Sequence, residues 1–367
     1  MKKIGALPSQ MIGEMMNAGF ISGTEKIENN INPASLDLSI SEEIYRVEGI
    51  FQPRPNEKVR DILELIGAIP QKLDAVFERD RTYLARLNEK LKFPKTVYGY
   101  ANPKSSTGRN DIHVRVLTDG VSRYDVIPSE YCGESWLAVK PKSYPIKLSF
   151  GEKLSQLRFF NADTRFNETE LEIAMARDKL LWYPIEGNRV LDYSEIKIRD
   201  NDGSIILTLD LTTDIVCYEC LGSEKILDFS KRRCNPEDFF SALIKKKNGY
   251  VFLKKGGFYI LSTREAVRIP PHLACEMVPM DERSGEFRSH YAGFIDPGWG
   301  WGKSGEGKGR QLTLELRPFE DIIVRDNQPI CKIKFERMAD VPDKLYDEMS
   351  NSNYVEQKGP CLSKHFL

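Results

Sequence analysis

The sequence predicts a mainly β protein built from two tandem copies of one compact unit, with a few peripheral helices. Three observations predict it. Short β-prone runs separated by Gly, Pro, Asp and Ser clusters fill both halves of the 367-residue chain, the pattern of hairpin-connected strands. Landmarks of the first half recur in the second: Asp37 against Asp210, Ser105 against Ser284, and Leu157-Arg158-Phe159 against Ile333-Lys334-Phe335, at offsets of 173 to 179. A nearly constant offset marks a duplicated unit of about 180 residues. An apolar content of 41% with 10% aromatics is ample for packed cores.

The elements follow in order. Residues 9–16 read as a helix capped by Ser9, with Met11, Ile12, Met15 and Met16 on one side. Ile31 to Ile40 alternates as a strand, with Pro33 placing it at an edge or a strand start. Residues 61–92 carry two helical patterns, the second KLDAVFERDRTYLARLNEKL, ended by Pro94. Strand-like runs follow at 96–98, 113–117, 136–139, 146–150 and 154–160. NETELEIAMARDKLL, 167–181, reads as an amphipathic helix with Asn167 as cap, stopped by Trp182-Tyr183-Pro184. That stop suggests domains at 1–182 and 183–367. The second half begins with a strand at 204–213, then a helix near Pro236 to Lys246 and strands at 250–254 and 257–262. Gln311 to Leu316 alternates, with Leu312, Leu314 and Leu316 on one face and Gln311, Thr313 and Glu315 on the other. Runs at 321–325 and 330–336 close the unit.

The totals exclude several classes. A net charge of −1 argues against a broad nucleic-acid or anionic-membrane surface, while permitting local basic clusters that would hold a small polyanion. No apolar run approaches the length of a membrane span, and Pro8, Gln10 and Glu14 interrupt any signal-peptide core. The seven cysteines are odd in number and lack a framework spacing, so free thiols and a cytoplasmic location are expected. Cys217 and Cys220 form a lone C-x-x-C without a second pair, so zinc is not expected there. Zinc nucleobase deaminases need H-x-E followed by P-C-x-x-C. None of His113, His272, His290 and His365 is followed two places later by Glu, and Val216 stands where that Pro would be.

Chemistry concentrates in two stretches. Asn102 to Arg109 reads NPKSSTGR: Lys104, Ser105, Ser106, Thr107, Gly108 and Arg109 combine cations, hydroxyls and backbone N–H groups in one turn, which suits a phosphate chain. A polar β-turn explains the same string. Its counterpart DERSGEFR keeps Arg283, Ser284 and Arg288 but adds Glu282 and Glu286, whose charge opposes phosphate. The other stretch is Tyr291 to Leu316. Ala292-Gly293 and Ile295-Asp296-Pro297-Gly298 form a small-residue turn, and Glu315 places a carboxylate among leucines, costly unless it meets solvent, a partner or a ligand. The first half has Ser135 to Val139, SWLAV, with no acid at the matching place. One half keeps the anion loop and the other the carboxylate, which suggests a site fed by both.

NPASLDL, PKSSTGR, AGFIDPGW, TLEL, GEKLSQLRF and the tail YVEQKGPCLSKHF together resemble the dCTP deaminases of the dUTPase-like β-barrel superfamily, in their two-domain bacterial form. The resemblance implies tandem dUTPase-like barrels and hydrolytic deamination of dCTP to dUTP and ammonia. Mg²⁺ would be bound through the triphosphate, with no zinc. It implies Glu315 as the catalytic glutamate, taking a proton from the water that attacks C4, since without a metal a side chain must deprotonate that water. Lys104, Ser105, Ser106 and Arg109 match the family's Arg-Ser-Ser-x-x-Arg motif, with Lys replacing the first Arg; Arg283, Ser284, Gly285 and Arg288 match it less cleanly. Ala292-Gly293 corresponds to the turn against the base, Asp296 to the sugar-side aspartate and Thr313 to a base contact. Tyr346 and Gln357 fall in the tail that closes over nucleotide, and a tail lysine of the family falls on Asn353. The glycine-rich GWGWGKSGEGKGR is longer than in the family, a surface loop in preference to a lid. Lys303, Lys308 and Arg310 lie in it. A homo-oligomer with sites between domains or subunits is also implied. A bifunctional dCTP deaminase/dUTP diphosphatase and a catalytically silent nucleotide-binding regulator stand as alternatives.

Overall fold

The structure, a computed structural model, describes residues 3–24, 26–185, 187–245, 249–289, 291–349 and 354–366. Two compact units emerge. The N-terminal unit is Ala6–Ala162 joined by Gly222–Phe239 and Ser363–Leu367, and the C-terminal unit is Met1–Gly5, Asp163–Leu221 and Phe240–Leu362. The chain thus changes unit at Ala162, where the sequence suggests a cut after Trp182, and two later segments return to the first unit.

The N-terminal unit opens with α1 (Ser9–Asn17), which buries Ile12 and Met15. Its N-cap is Pro8, without a side-chain cap bond, so Ser9 is the first helical residue and not the cap. The principal strands are β1 (Ser35–Val47), β2 (Thr82–Leu87), β3 (Tyr98–Pro103), β4 (Ile112–Thr118), β5 (Ser135–Pro141) and β6 (Lys153–Phe160). They order as β3-β6-β1-β2-β5-β4, all antiparallel. Asp125 nearly closes this sheet into a barrel. At φ 64° it donates its N–H to Val116 of β4 and accepts from the N–H of Ala101 of β3, each at 2.8 Å.

The helical pattern over 72–91 is overturned: those residues form β2 and shorter strands. Tyr83, Leu84, Ala85 and Leu87 are all buried, because β2 lies inside the sheet between β1 and β5. Burial on both faces erases the two-residue period that marks a half-exposed strand. The short helix α2 (Val59–Leu65) packs Val59 and Leu63 against Trp136, Val47 and Leu84.

In the C-terminal unit, α3 (Glu168–Asp178) has the expected Asn167 cap, reinforced by Glu170 in a reciprocal capping box. It ends before Trp182, since Leu181–Tyr183 is a strand. The expected helix near Pro236 reduces to one 3₁₀ turn, Pro236–Asp238, followed by a strand at Phe240–Ile244; Lys246 lies outside the described residues. The main strands are β7 (Ser204–Thr208), β8 (Tyr259–Val267), β9 (Leu273–Val278), β10 (Arg310–Pro318) and β11 (Pro329–Arg337). β8 pairs with β10, and β11 lies between β7 and β9. Leu312, Leu314 and Leu316 enter one core with Leu207, Leu261, Cys275, Ile333 and Phe335.

Matched details carry the duplication. Tyr83 OH accepts from Glu78 N, and Tyr259 OH from Lys254 N, each at 2.9 Å. Buried Glu89 accepts from Ser39 N and Oγ, as buried Glu265 does from Thr208 N and Oγ1. Burial pushes both carboxyls up, and these hydrogen bonds oppose it.

Candidate active site

The alternation of β10 decides where Glu315 goes. Its leucines take the core face, so Thr313 and Glu315 share the other, where both are buried (7% and 2% exposed). The small-residue turn then supplies the carboxylate's partners: Oε2 accepts from Tyr291 N at 2.8 Å and from Ala292 N at 3.1 Å. Two rigid backbone donors on one oxygen hold the carboxylate in one orientation and help to compensate its burial. Thr313 Oγ1 and Ser262 Oγ are buried without a hydrogen-bond partner. Cross-strand pairing of Ser262 with Thr313 and of Ile260 with Glu315 puts these hydroxyls beside the carboxylate. An unsatisfied buried hydroxyl costs about 1–3 kcal/mol, which a polar ligand or water would relieve.

The turn itself is fixed by Gly298. Its φ is 91°, and a Cβ there would meet Leu345 Cβ at 2.5 Å. Gly293 O accepts from Met277 N at 2.7 Å, tying the turn to β9. Asp296 is half-buried at the other end of this turn, its carbonyl accepting from Trp299 N. Tyr291, whose part in the site has no sequence signature, is anchored by its hydroxyl, which accepts from Arg317 Nε at 3.0 Å. The guanidinium of Arg288 lies 4.7 Å from the Tyr291 ring centroid.

The tail residues gather on this same unit. Tyr346 N donates to Pro297 O, and its ring lies 5.1 Å from that of Trp299. Gln357 Nε2 donates at 2.8 Å to Gln311 O, two residues before Thr313. Asn353 lies outside the described residues. The glycine-rich segment is tied down as a surface loop. Arg268 sits 3.9 Å over Trp301 and donates to Gly305 O and Asp178 O. Arg310 is committed to Asp347 at 3.0 Å and lies over Trp299, while Lys308 lies 5.9 Å from the Trp182 ring.

In the N-terminal unit, Lys104 caps the four-residue helical turn Ser105–Gly108. The N–H groups of Thr107, Gly108 and Arg109 are spent inside that turn, leaving those of Ser105 and Ser106 at its start. Ser105 and Lys104 are half-buried, whereas Ser106, Thr107, Gly108 and Arg109 are buried. Lys104 forms an ion pair with Asp37, so its charge is already partnered. Ala138 pairs with Leu84 as Glu315 pairs with Ile260, so the duplicate position holds a methyl group under the Trp136 cluster.

Of the rival loop, Arg288 lies over the ring of Tyr291, whose N–H donates to Glu315. Arg283 is exposed and held by Asp281 and Asp200, and Ser284 lies in a 3₁₀ turn capped by Asp281. Arg288 sits on a strand paired with Arg317. Asp281 and Asp200 oppose an anion at Arg283, as Asp37 does at Lys104. All seven cysteines are free, and Cys217 and Cys220 lie on one strand. Among the described residues no group of three or more His, Cys, Asp or Glu is placed to hold a metal ion. No helix among them is long and apolar enough to cross a membrane.

Comparison with known proteins agrees across the chain. Family models for the N-terminal and C-terminal domains of 2'-deoxycytidine 5'-triphosphate deaminase match residues 3–163 and 186–366. A curated relative, the dUMP-forming dCTP deaminase of Dictyoglomus turgidum, is 28% identical over 134 residues. That match spans 35% of this chain and 64% of the relative's own length. The crystal structure of 2'-deoxycytidine 5'-triphosphate deaminase from Agrobacterium tumefaciens superposes with a TM-score of 0.85 at 32% identity, covering 94% of this chain and 98% of that one. A buried carboxylate gripped by a small-residue turn, within a duplicated β fold matched over nearly its whole length, therefore has one setting: the chain belongs to the 2'-deoxycytidine 5'-triphosphate deaminase family.

Proposed function

We propose that the protein deaminates dCTP to dUTP and ammonia, with Glu315 as the proton carrier. The observation that carries this reading is the Glu315 carboxylate, buried and held by Tyr291 N and Ala292 N beside the unpartnered Thr313 hydroxyl. Water attack on C4 of cytosine requires loss of a proton from water and delivery of protons to N3 and to the departing amine. One carboxylate can do both in turn, and such transfers contribute about 10²–10⁴ in rate. Thr313 offers the base a hydroxyl, Ala292 and Gly293 present backbone that tells an amino group from a carbonyl, and Asp296 takes the sugar. The Ser105–Arg109 loop takes the triphosphate, with Ser105, Ser106 and Arg109 as donors. Mg²⁺ arrives as part of that substrate. Tyr346 and Gln357 belong to the segment that excludes water. The enzyme acts as a cytoplasmic homo-oligomer.

Incubation with dCTP and Mg²⁺ tests the reading. Stoichiometric ammonia and dUTP are expected, and tight binding without turnover overturns it. Appearance of dUMP and pyrophosphate adds a hydrolytic step that the proposal does not include.

A further inference from the structure

The N-terminal unit holds a polar network that the deamination chemistry does not use, and it ends on the Ser-Arg loop. Asn110, one residue beyond that loop, is 1% exposed, and Ser363 and His365 are fully buried. Asn110 Nδ2 lies 2.7 Å from Ser106 O. A carbonyl oxygen can only accept, so that Asn110 atom is the nitrogen, and the amide orientation follows. Its second hydrogen faces His365 Nδ1 at 3.0 Å, which assigns Nδ1 as the acceptor and puts the ring proton on Nε2, a buried atom without a hydrogen-bond partner. Asn110 Oδ1 accepts from Tyr144 OH at 3.1 Å and from Ser363 Oγ at 2.9 Å. All four hydrogen-bonding positions of the Asn110 amide are therefore filled.

We infer that Ser363 and His365 are positioning residues for the Ser105–Arg109 loop, acting through Asn110. The ring packs against Phe229 at 4.3 Å, and His365 O accepts from Cys234 N at 2.9 Å. The segment is thus held from two sides while its imidazole fixes an amide that fixes the loop carbonyl at Ser106. A positively charged His365 would turn an N–H toward the Asn110 NH₂, placing donor against donor. Burial, followed by the nearby Lys364 and Arg232 charges, opposes that proton. The consequence for catalysis rests on the reading of this loop as the triphosphate site; the positioning itself does not.

Two variants of the full-length protein separate the acceptor from the ring. His365→Asn keeps an acceptor near the Nδ1 place, and His365→Phe keeps the aromatic packing without one. His365→Phe is expected to raise the KM for dCTP about tenfold, the factor that ~1.4 kcal/mol makes, with kcat within about twofold of wild type. It should also speed amide hydrogen exchange across residues 105–110, and His365→Asn should largely restore both. Wild-type exchange over 105–110 in His365→Phe overturns the inference, as does an equal defect in His365→Asn. Should His365→Phe fail to fold, Ser363→Ala removes one donor to Asn110 and must show the same faster exchange. If Arg109→Ala leaves KM unchanged, the phosphate reading of the loop falls, while exchange still decides the positioning role.

Discussion

Glu315→Gln isolates the proton-carrying role from every structural one. The amide is isosteric with the carboxylate, so its oxygen can still accept from Tyr291 N and Ala292 N, now 2.8 and 3.1 Å from Oε2. What changes is charge. A hydrogen bond to a charged group contributes about 1.5–3 kcal/mol and a neutral one about 0.5–1.5, so the two bonds together lose about 2 kcal/mol. Removing a buried charge offsets part of this. For a protein of this size about 2 kcal/mol corresponds to a fall of less than about 8 °C in melting temperature. The rate has no such compensation: an amide cannot take the proton from water, so kcat should fall by about 10²–10⁴. The assay is ammonia release from dCTP, coupled to reductive amination of 2-oxoglutarate, beside calorimetry and equilibrium binding of dCTP. A kcat within tenfold of wild type, with binding intact, refutes Glu315 as the proton carrier.

Arg109→Ala should raise the KM for dCTP by about 10- to 150-fold, the loss of one charge-assisted contact of about 1.5–3 kcal/mol, measured by initial rates at fixed excess Mg²⁺. Arg283→Ala should leave that KM unchanged, since Arg283 is exposed and already paired with Asp281 and Asp200. Gly298→Ala should destabilise the protein by more than ~1 kcal/mol in denaturant titration, because φ is 91° and the new methyl would meet Leu345 and the backbone of Tyr346. His365 predicts a pH dependence of stability. Its pKa is pushed down to about 3 by burial and by nearby Lys364 and Arg232, from 6.5 in the unfolded chain. Above about pH 6.5 its contribution is fully present. As pH falls from there toward 3, the unfolded state binds a proton that the folded state refuses, and stability drops by ~1.4 kcal/mol per pH unit. In His365→Asn that part of the slope should vanish in unfolding titrations at pH 7, 6 and 5.

The strand framework was legible where polar and apolar residues alternate, whether or not the polar face meets solvent. β10 shows this best: three leucines alternate with Gln311, Thr313 and Glu315, and the structure divides them accordingly. The helix at Glu168–Asp178 was legible from its cap. Thr82–Leu87 was not, since a strand buried on both faces loses its period while the charged residues around it, Glu78, Arg79, Arg81, Glu89 and Lys90, imitate a helix. Pro236 gave a true start signal, but the Asn235 cap supports only one turn before the edge strand at Phe240 begins. At the site, Glu315 stood out as a carboxylate among leucines. Tyr291 did not: its contribution is a backbone N–H and a hydroxyl held by Arg317, and neither has a sequence signature. The alternation that marked Glu315 could have found Arg317, two residues further along the same face. Asn110 and His365 are joined only by a contact 255 residues apart, beyond any local pattern.

The return of Gly222–Phe239 and Ser363–Leu367 to the N-terminal unit bears on how the protein is made. Domains usually fold in the order in which they leave the ribosome, yet this unit begins first and is completed only once residue 363 and those after it have emerged. Until then the space under Ser106 lacks its imidazole, and the strand at Ile146–Lys147 lacks its parallel neighbour at Leu227–Asp228. Contacts so distant in sequence close slowly, and until they do the half-built barrel carries the unpaired edges and apolar surface that favour aggregation.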